Sequence, residues 1–264
     1  MSEKTIQELF CLQHKTILIT GATGGLGAAM SRALAEAGAN VVVSSRDLKK
    51  GQDFAATLPV IGSAVHGAVE LDHMDDQSLE RGFQAAMEVT GALDVLVNNG
   101  NEPLSRDWTN VSGDEFRHQM NNLTGYFLLS RLFRDQIVQR KAQGSLILLG
   151  SMYGLVGSYP EAYAGISLAS PVSYHAMKGG VVQMNRHLAI YWAQDGVRVN
   201  CLCPGPFPPE SVPDELVARL TAKSPMRRMG TPAELKGAIV FLASDASSYM
   251  TGQNLTIDGG WTAW

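Results

Sequence analysis

Cysteine is scarce in this chain. Cys11, Cys201 and Cys203 cannot make a fully paired disulfide framework. Cys201 and Cys203 alternate along one apolar run, as small buried hydrophobes do. The six histidines are scattered, with no close Cys, His and carboxylate grouping, so no metal site is expected. Charge is sparse too: Asp, Glu, Lys and Arg make up 17% of the 264 residues, and 21 basic side chains against 25 acidic ones leave a net charge of −4. Nucleic acid or an anionic membrane as main partner would need a basic face, and this balance argues against both. No apolar run approaches the ~18 residues of a spanning helix. The opening Met1-Ser2-Glu3-Lys4 lacks the apolar core of a signal peptide. A soluble protein of a reducing, cytoplasmic compartment is the expectation.

Apolar residues, at 45%, are enough for a large buried core, and a single domain spanning 1–264 is expected. Short β-branched runs alternate with longer helical stretches. Strands are predicted at Thr16–Thr20, Val41–Val43, Ala64–Leu71, Leu93–Val97, Ser145–Leu149, Val197–Cys203 and Asn254–Ile257. Helices are predicted at Gly25–Ala37, Asp47–Thr57, Gln77–Val89, Asp114–Gln139, Val172–Gln194 and Pro232–Ala243. The order calls for an α/β fold: a doubly wound, Rossmann-type parallel sheet of about seven strands with helices on both faces. Ligands of such sheets sit outside the carboxyl ends of the strands, so the segments directly after strands carry the chemistry.

Glycine is the surplus, with 27 residues. The first strand runs straight into Thr20-Gly21-Ala22-Thr23-Gly24-Gly25-Leu26-Gly27 and then a helix. Glycines there allow a tight turn and close backbone approach to a diphosphate, and the helix end offers free N–H groups. The second strand ends in Ser44-Ser45-Arg46. An acidic residue there would suit the ribose hydroxyls of NAD, whereas a small polar residue before arginine suits a 2′-phosphate. NADP is therefore preferred, with NAD possible and Asp47 next door able to blunt the positive field. Tyr174 and Lys178 stand four apart on one predicted helix face, where an ammonium beside a phenol favours phenolate. Ser151 directly follows a strand and could hydrogen-bond a substrate oxygen. Asn98-Asn99-Gly100-Asn101 follows another strand. Asn122, a mediocre helix former inside a long helix, reads either as a polar core residue or as part of a proton path.

Taken together, these motifs, with Asp72, Pro204-Gly205 and the closing Ile257-Asp258-Gly259-Gly260, resemble the short-chain dehydrogenase/reductase family along nearly the whole chain. The resemblance implies Tyr174 as general acid/base and Ser151 as the group that orients the carbonyl or alcohol. It implies that Lys178 holds the nicotinamide ribose and tunes Tyr174, and that Asn122 anchors a water linking Lys178 to solvent. It implies cofactor contacts from Gly21, Thr23, Gly25, Leu26, Gly27, Ser45, Arg46, Asp72, Asn98, Gly100, Tyr174, Lys178, Pro204, Gly205 and Phe207, and a homo-oligomer, tetramer or dimer.

Four departures qualify the resemblance. Gly24 replaces a basic residue common in NADP-preferring members, which leaves Arg46 to carry that preference. Asn101 stands where the family has glycine, and asparagine tolerates the left-handed backbone that glycine would adopt. Pro209 replaces a frequent threonine and offers neither hydroxyl nor N–H. Ser151 and Tyr174 lie 23 positions apart, a wider spacing than the family's. The extra segment, 158–170 with Tyr159, Glu161 and Tyr163, is expected to loop out beside the site, and a substrate loop is expected at 206–228. Tyr153 and Tyr163 have no lysine four residues later, so Tyr174 keeps the acid/base role. Rim residues Asn101, Glu102 and Arg106 suggest a small polar alcohol or ketone such as a sugar, sugar acid or polyol. A 3-oxoacyl-thioester reductase is the alternative, with Arg131, Arg134 and Arg140 as a basic entrance for an acidic carrier, and a dinucleotide-binding regulator without turnover is a third reading. Trp261 and Trp264 fit an interface or pocket wall and, equally, ordinary packing.

Overall fold

Period-two alternation within each strand separates two cores. The computed structural model describes residues 3–168 and 170–263, so Ala169 of the expected insertion and Trp264 lie outside them. In β1 (Thr16–Ile19), Leu18 faces one core while Ile17 and Ile19 face the other. The same split separates Val42 from Val41 and Val43 in β2 (Asn40–Ser45) and Leu96 from Val95 and Val97 in β4 (Val95–Asn98). With β3 (His66–Glu70), β5 (Gly144–Leu149), β6 (Val197–Pro204) and β7 (Asn254–Ile257) these strands form one parallel seven-stranded sheet in the order β3-β2-β1-β4-β5-β6-β7. Strands apolar on both faces need cover on both, which is the reason for the double winding.

Following the short α1 (Ile6–Phe10), the core of one face is completed by α2 (Gly25–Glu36) and α3 (Leu48–Ala55), and that of the other by α4 (Asp76–Thr90) and α5 (Gly113–Arg140). Local chemistry sets the ends. Ser112 and Glu115 form a capping box at the start of α5, and Gly91 stops α4 with φ of 80°, a backbone that glycine adopts without strain. α7 (Val172–Trp192) joins the second face, and α9 (Lys236–Ala243) the first.

The differences from expectation lie mainly in short elements. The predicted 232–243 helix begins as a 3₁₀ turn, Pro232–Leu235, before α9. The strand expected over Ala64–Leu71 is confined to β3. The substrate loop contains a helix, α8 (Asp214–Lys223). The first part of the 158–170 segment is folded in, not looped out: α6 (Pro160–Tyr163) docks on α8 through Lys223–Glu161 at 2.6 Å and a bond from Arg219 to Ala164 O at 2.8 Å. Tyr159 meets Trp261 edge-on, centroids 5.4 Å apart, and Trp261 is buried in this small third core. A helical turn with an apolar side gains more by packing there than by standing in solvent.

Candidate active site

The sheet's direction of winding reverses between β1 and β4, and a cleft of about 510 Å³ opens at that edge. Gly21, Thr23, Ser45, Arg46 and Gly100 all line it. The glycine turn is held from behind. Thr20 Oγ1 accepts from Asn99 N (2.9 Å) and Gly100 N (2.8 Å), while Asn99 Nδ2 donates to Thr20 O and Gly21 O, both at 3.0 Å. Gly21 has φ of +60°, and a Cβ on Gly27 would lie 2.1 Å from Gly21 O. Gly25 and Leu26 open α2, whose first turn has no side-chain cap and no acidic residue. The first intrahelical bond is Ala28 N to Gly24 O, so the preceding N–H groups and the dipole's positive end face outward, a cradle fitted to a diphosphate.

Several predicted contacts have other work. Asn98 is buried and donates to Tyr126 O (3.1 Å) and Ser130 Oγ (3.0 Å), tying β4 to α5 rather than lining the cleft. Asp72 Oδ1 accepts from Met74 N at 2.9 Å, and its neighbours Leu71 and His73 line the cleft instead. Gly100 is required by His73, since a Cβ would stand 2.9 Å from the imidazole Nδ1. Gly205, after Pro204 at the end of β6, is required by the Asp258 backbone, whose Cα would lie 2.4 Å from a Cβ. Phe207 packs against the first face's core and lines a separate pocket with Pro206. Asn101 is not in the left-handed region; among the described non-glycine residues His14, Lys141 and Arg227 are. Asp47 caps α3, accepting from Lys50 N at 3.1 Å.

Tyr174 leaves the first turn of α7 and lines a second cavity, about 500 Å³, whose polar residues are Ser105, Arg106, Tyr163, Ser167 and Ser170 and whose apolar ones are Pro103, Leu104, Leu168 and Pro171. Ser151 sits just past β5, buried near the Tyr174 phenol, its Oγ accepting from Tyr153 N at 3.1 Å. Lys178 is buried one turn on, its Nζ donating to Leu149 O at 2.6 Å and lying 5.8 Å from the Tyr174 ring centroid and 5.4 Å from that of Tyr126. Burial brings Lys178 down to about 8. Burial raises the Tyr174 phenol above its ordinary value, and the Ser151 hydroxyl offsets this only in part. The expected lowering by lysine is therefore not what the protein presents on its own. Buried Cys201 and Cys203 lie beneath Gly150, where a Cβ would come within 2.6 and 2.7 Å of their sulfurs.

Asn122 is fully buried, and both ends of its amide are engaged. Oδ1 accepts from His73 Nε2 (2.7 Å) and Glu102 N (2.8 Å), and Nδ2 donates to Gln119 O (3.0 Å) and Glu102 O (3.2 Å). Its side chain thus serves as a clamp on the segment after β4. His73, which lines the cleft, is the residue that the sequence motifs do not point to; its place just past the carboxyl end of β3 is the signal that could have found it.

A family model described as Enoyl-(Acyl carrier protein) reductase matches residues 21–262. A galactitol 2-dehydrogenase (L-tagatose-forming) from Cereibacter sphaeroides is 35% identical over 97% of this chain and 98% of its own. The crystal structure of a gluconate 5-dehydrogenase from Burkholderia cenocepacia J2315 in complex with NADP and tartrate superposes with a TM-score of 0.87 at 26% identity, covering 98% of this chain and 100% of that one. That of a short chain dehydrogenase from Leptospira borgpetersenii with bound NAD+ gives 0.84 at 26% identity, covering 99% and 97%.

Proposed function

This chain belongs to the short-chain dehydrogenase/reductase family, and on that premise we propose that it interconverts a secondary alcohol and a ketone on a small polyhydroxylated substrate, a sugar, sugar acid or polyol, with NADP preferred to NAD. The observation that carries the reading is that the Tyr174 phenol opens onto a cavity which, among apolar walls, also presents the Arg106 guanidinium and serine and tyrosine hydroxyls. Similarity to a galactitol dehydrogenase and a gluconate dehydrogenase supports it. Ser45 and Arg46 on the cleft, with Asp47 spent on the α3 cap, support NADP.

The nicotinamide dinucleotide, when bound in the cleft, supplies the hydride donor or acceptor. The cradle of Gly21, Gly25 and Gly27 would hold its diphosphate. What remains for the chain is a proton at the substrate oxygen. Burial keeps the proton on Tyr174 Oη at neutral pH, so for ketone reduction the phenol stands ready as the acid. Alcohol oxidation needs the phenolate, which neighbouring positive charge favours, and Lys178 is the protein's own source of it. Ser151 Oγ, close to the phenol, orients the substrate oxygen. Asn122 acts through the segment it clamps.

The acyl-thioester alternative draws support from the matching family description but not from Arg134 and Arg140. Arg134 is paired to Asp195 at 2.7 Å and Arg140 to Asp94 at 3.2 Å, residues that precede β6 and β4, at the edge of the sheet opposite the cleft. Exposed Ile190 and Tyr191 on α7 support a homo-oligomer, which light scattering would reject by returning a monomer mass. The deciding experiment is turnover of a panel of polyols, sugar acids and an acetoacetyl thioester with NADP(H) and NAD(H). Tyr174→Phe is expected to lose about a hundredfold or more; near-normal turnover by that variant would reject the assignment.

A further inference from the structure

We propose that Glu102 sets how strongly this protein discriminates between dinucleotides with and without a 2′-phosphate, by competing for Arg46. The inference rests on the reading of the cleft as a nicotinamide dinucleotide site. Arg46 follows β2 and Glu102 lies four residues past the end of β4, with β1 and its glycine turn between those strands. Both line the cleft, and Arg46 Nη1 donates to Glu102 Oε2 at 2.8 Å. The pair therefore links the flanks of the groove that an adenosine must enter.

Glu102 is not a loose surface acid. Its own N–H and C=O are both held by the buried Asn122 amide, at 2.8 and 3.2 Å, and Asn122 is held in turn by His73 at 2.7 Å. The carboxylate is projected from fixed backbone. Its second oxygen accepts from His118 Nε2 at 2.9 Å, so when Arg46 turns away, Glu102 keeps a partner and stays beside the cleft. A 2′-phosphate meets two obstacles. It must draw the guanidinium away from an existing ion pair, and it must accept a fixed negative charge nearby. A plain 2′-hydroxyl meets neither obstacle. Arg46 thus attracts NADP while Glu102 limits the attraction.

The test is calorimetric titration of the purified full chain with NADP+ and with NAD+, which needs no substrate. Glu102→Gln keeps the side chain's shape and removes its charge. It is expected to tighten NADP+ about three- to fivefold, the upper range open to a partly exposed ion pair, and to change NAD+ by less than about twofold. In an Arg46→Gln background the same replacement is expected to lose most of its effect on NADP+. Equal tightening of both dinucleotides, no tightening of NADP+, or a full gain persisting without Arg46 would each overturn the proposal; in the last case Lys50, which also lines the cleft, becomes the phosphate's partner. A wild-type protein that favours NAD+ overturns the NADP preference but not this inference, provided the glutamine variant still moves toward NADP+. Failure to turn over any polyol bears only on the substrate.

Discussion

Replacing Lys178 by methionine should abolish turnover and change how stability depends on pH. Methionine fills nearly the same apolar volume and needs no solvation. Lys178 is buried, and burial brings it from 10.5 to about 8. Between those values the unfolded chain holds a proton that the folded protein has released, so wild-type stability rises with pH through the window. Below about 8 the folded protein carries the buried ammonium at full cost. The gap of about 2.5 pH units at about 1.36 kcal/mol each corresponds to about 3 kcal/mol, of which about 2–3 kcal/mol is recovered between pH 7 and 10. The variant lacks this titration; the buried thiols of Cys201 and Cys203, which the ammonium pulls down, shift upward without it and add to the same trend. Urea unfolding of the two proteins at several pH values should therefore show wild type gaining about 2–3 kcal/mol on the variant between pH 7 and 10. Any stability advantage of the variant at pH 7 is set by the same cost, less the lost bond to Leu149 O. A difference independent of pH would refute the reasoning, because it would mean that Lys178 keeps its ordinary affinity for protons where it is buried.

Two further expectations concern the two cavities. Arg106 is the cationic side chain on the substrate cavity, and its Nε is already taken by Glu115 at 2.9 Å, which leaves both Nη groups for a ligand. Arg106→Gln should raise KM for a sugar acid about tenfold and leave that for an uncharged polyol within about twofold; steady-state kinetics showing equal losses would assign the residue to loop structure instead. Gly27→Ala should weaken dinucleotide binding at least about tenfold and lower stability by about 1–3 kcal/mol, because the new methyl cannot occupy a site 2.1 Å from Gly21 O. Calorimetry and thermal melts check both effects, and normal binding would show that the turn yields.

Much of this protein follows from local pattern. Alternating apolar runs and helical stretches determine a doubly wound sheet, because strands apolar on both sides must be covered on both. Glycines between the first strand and helix determine a phosphate cradle, because only a backbone without Cβ can close that turn. The four-residue step from Tyr174 to Lys178 places both groups on one face of α7. Those features are short-range, and so they are legible in order along the chain. The rest depends on what distant segments meet. Gly100 and Gly205 owe their identity to His73 and Asp258, and Asn98 to α5. The helical turn α6 docks because its apolar side finds Leu216 and Leu220 of α8 and Trp261. Lys178 titrates low because the helices and sheet close around it, and Tyr174 sits high for the same reason. The Arg46–Glu102 pair, 56 positions apart, exists because the sheet places the ends of β2 and β4 on either side of one cleft. Sequence alone determined which elements form and where phosphate chemistry belongs. Tertiary structure decided which charges are paired and which are buried, because solvation and ion pairing depend on neighbours that only the closed fold supplies.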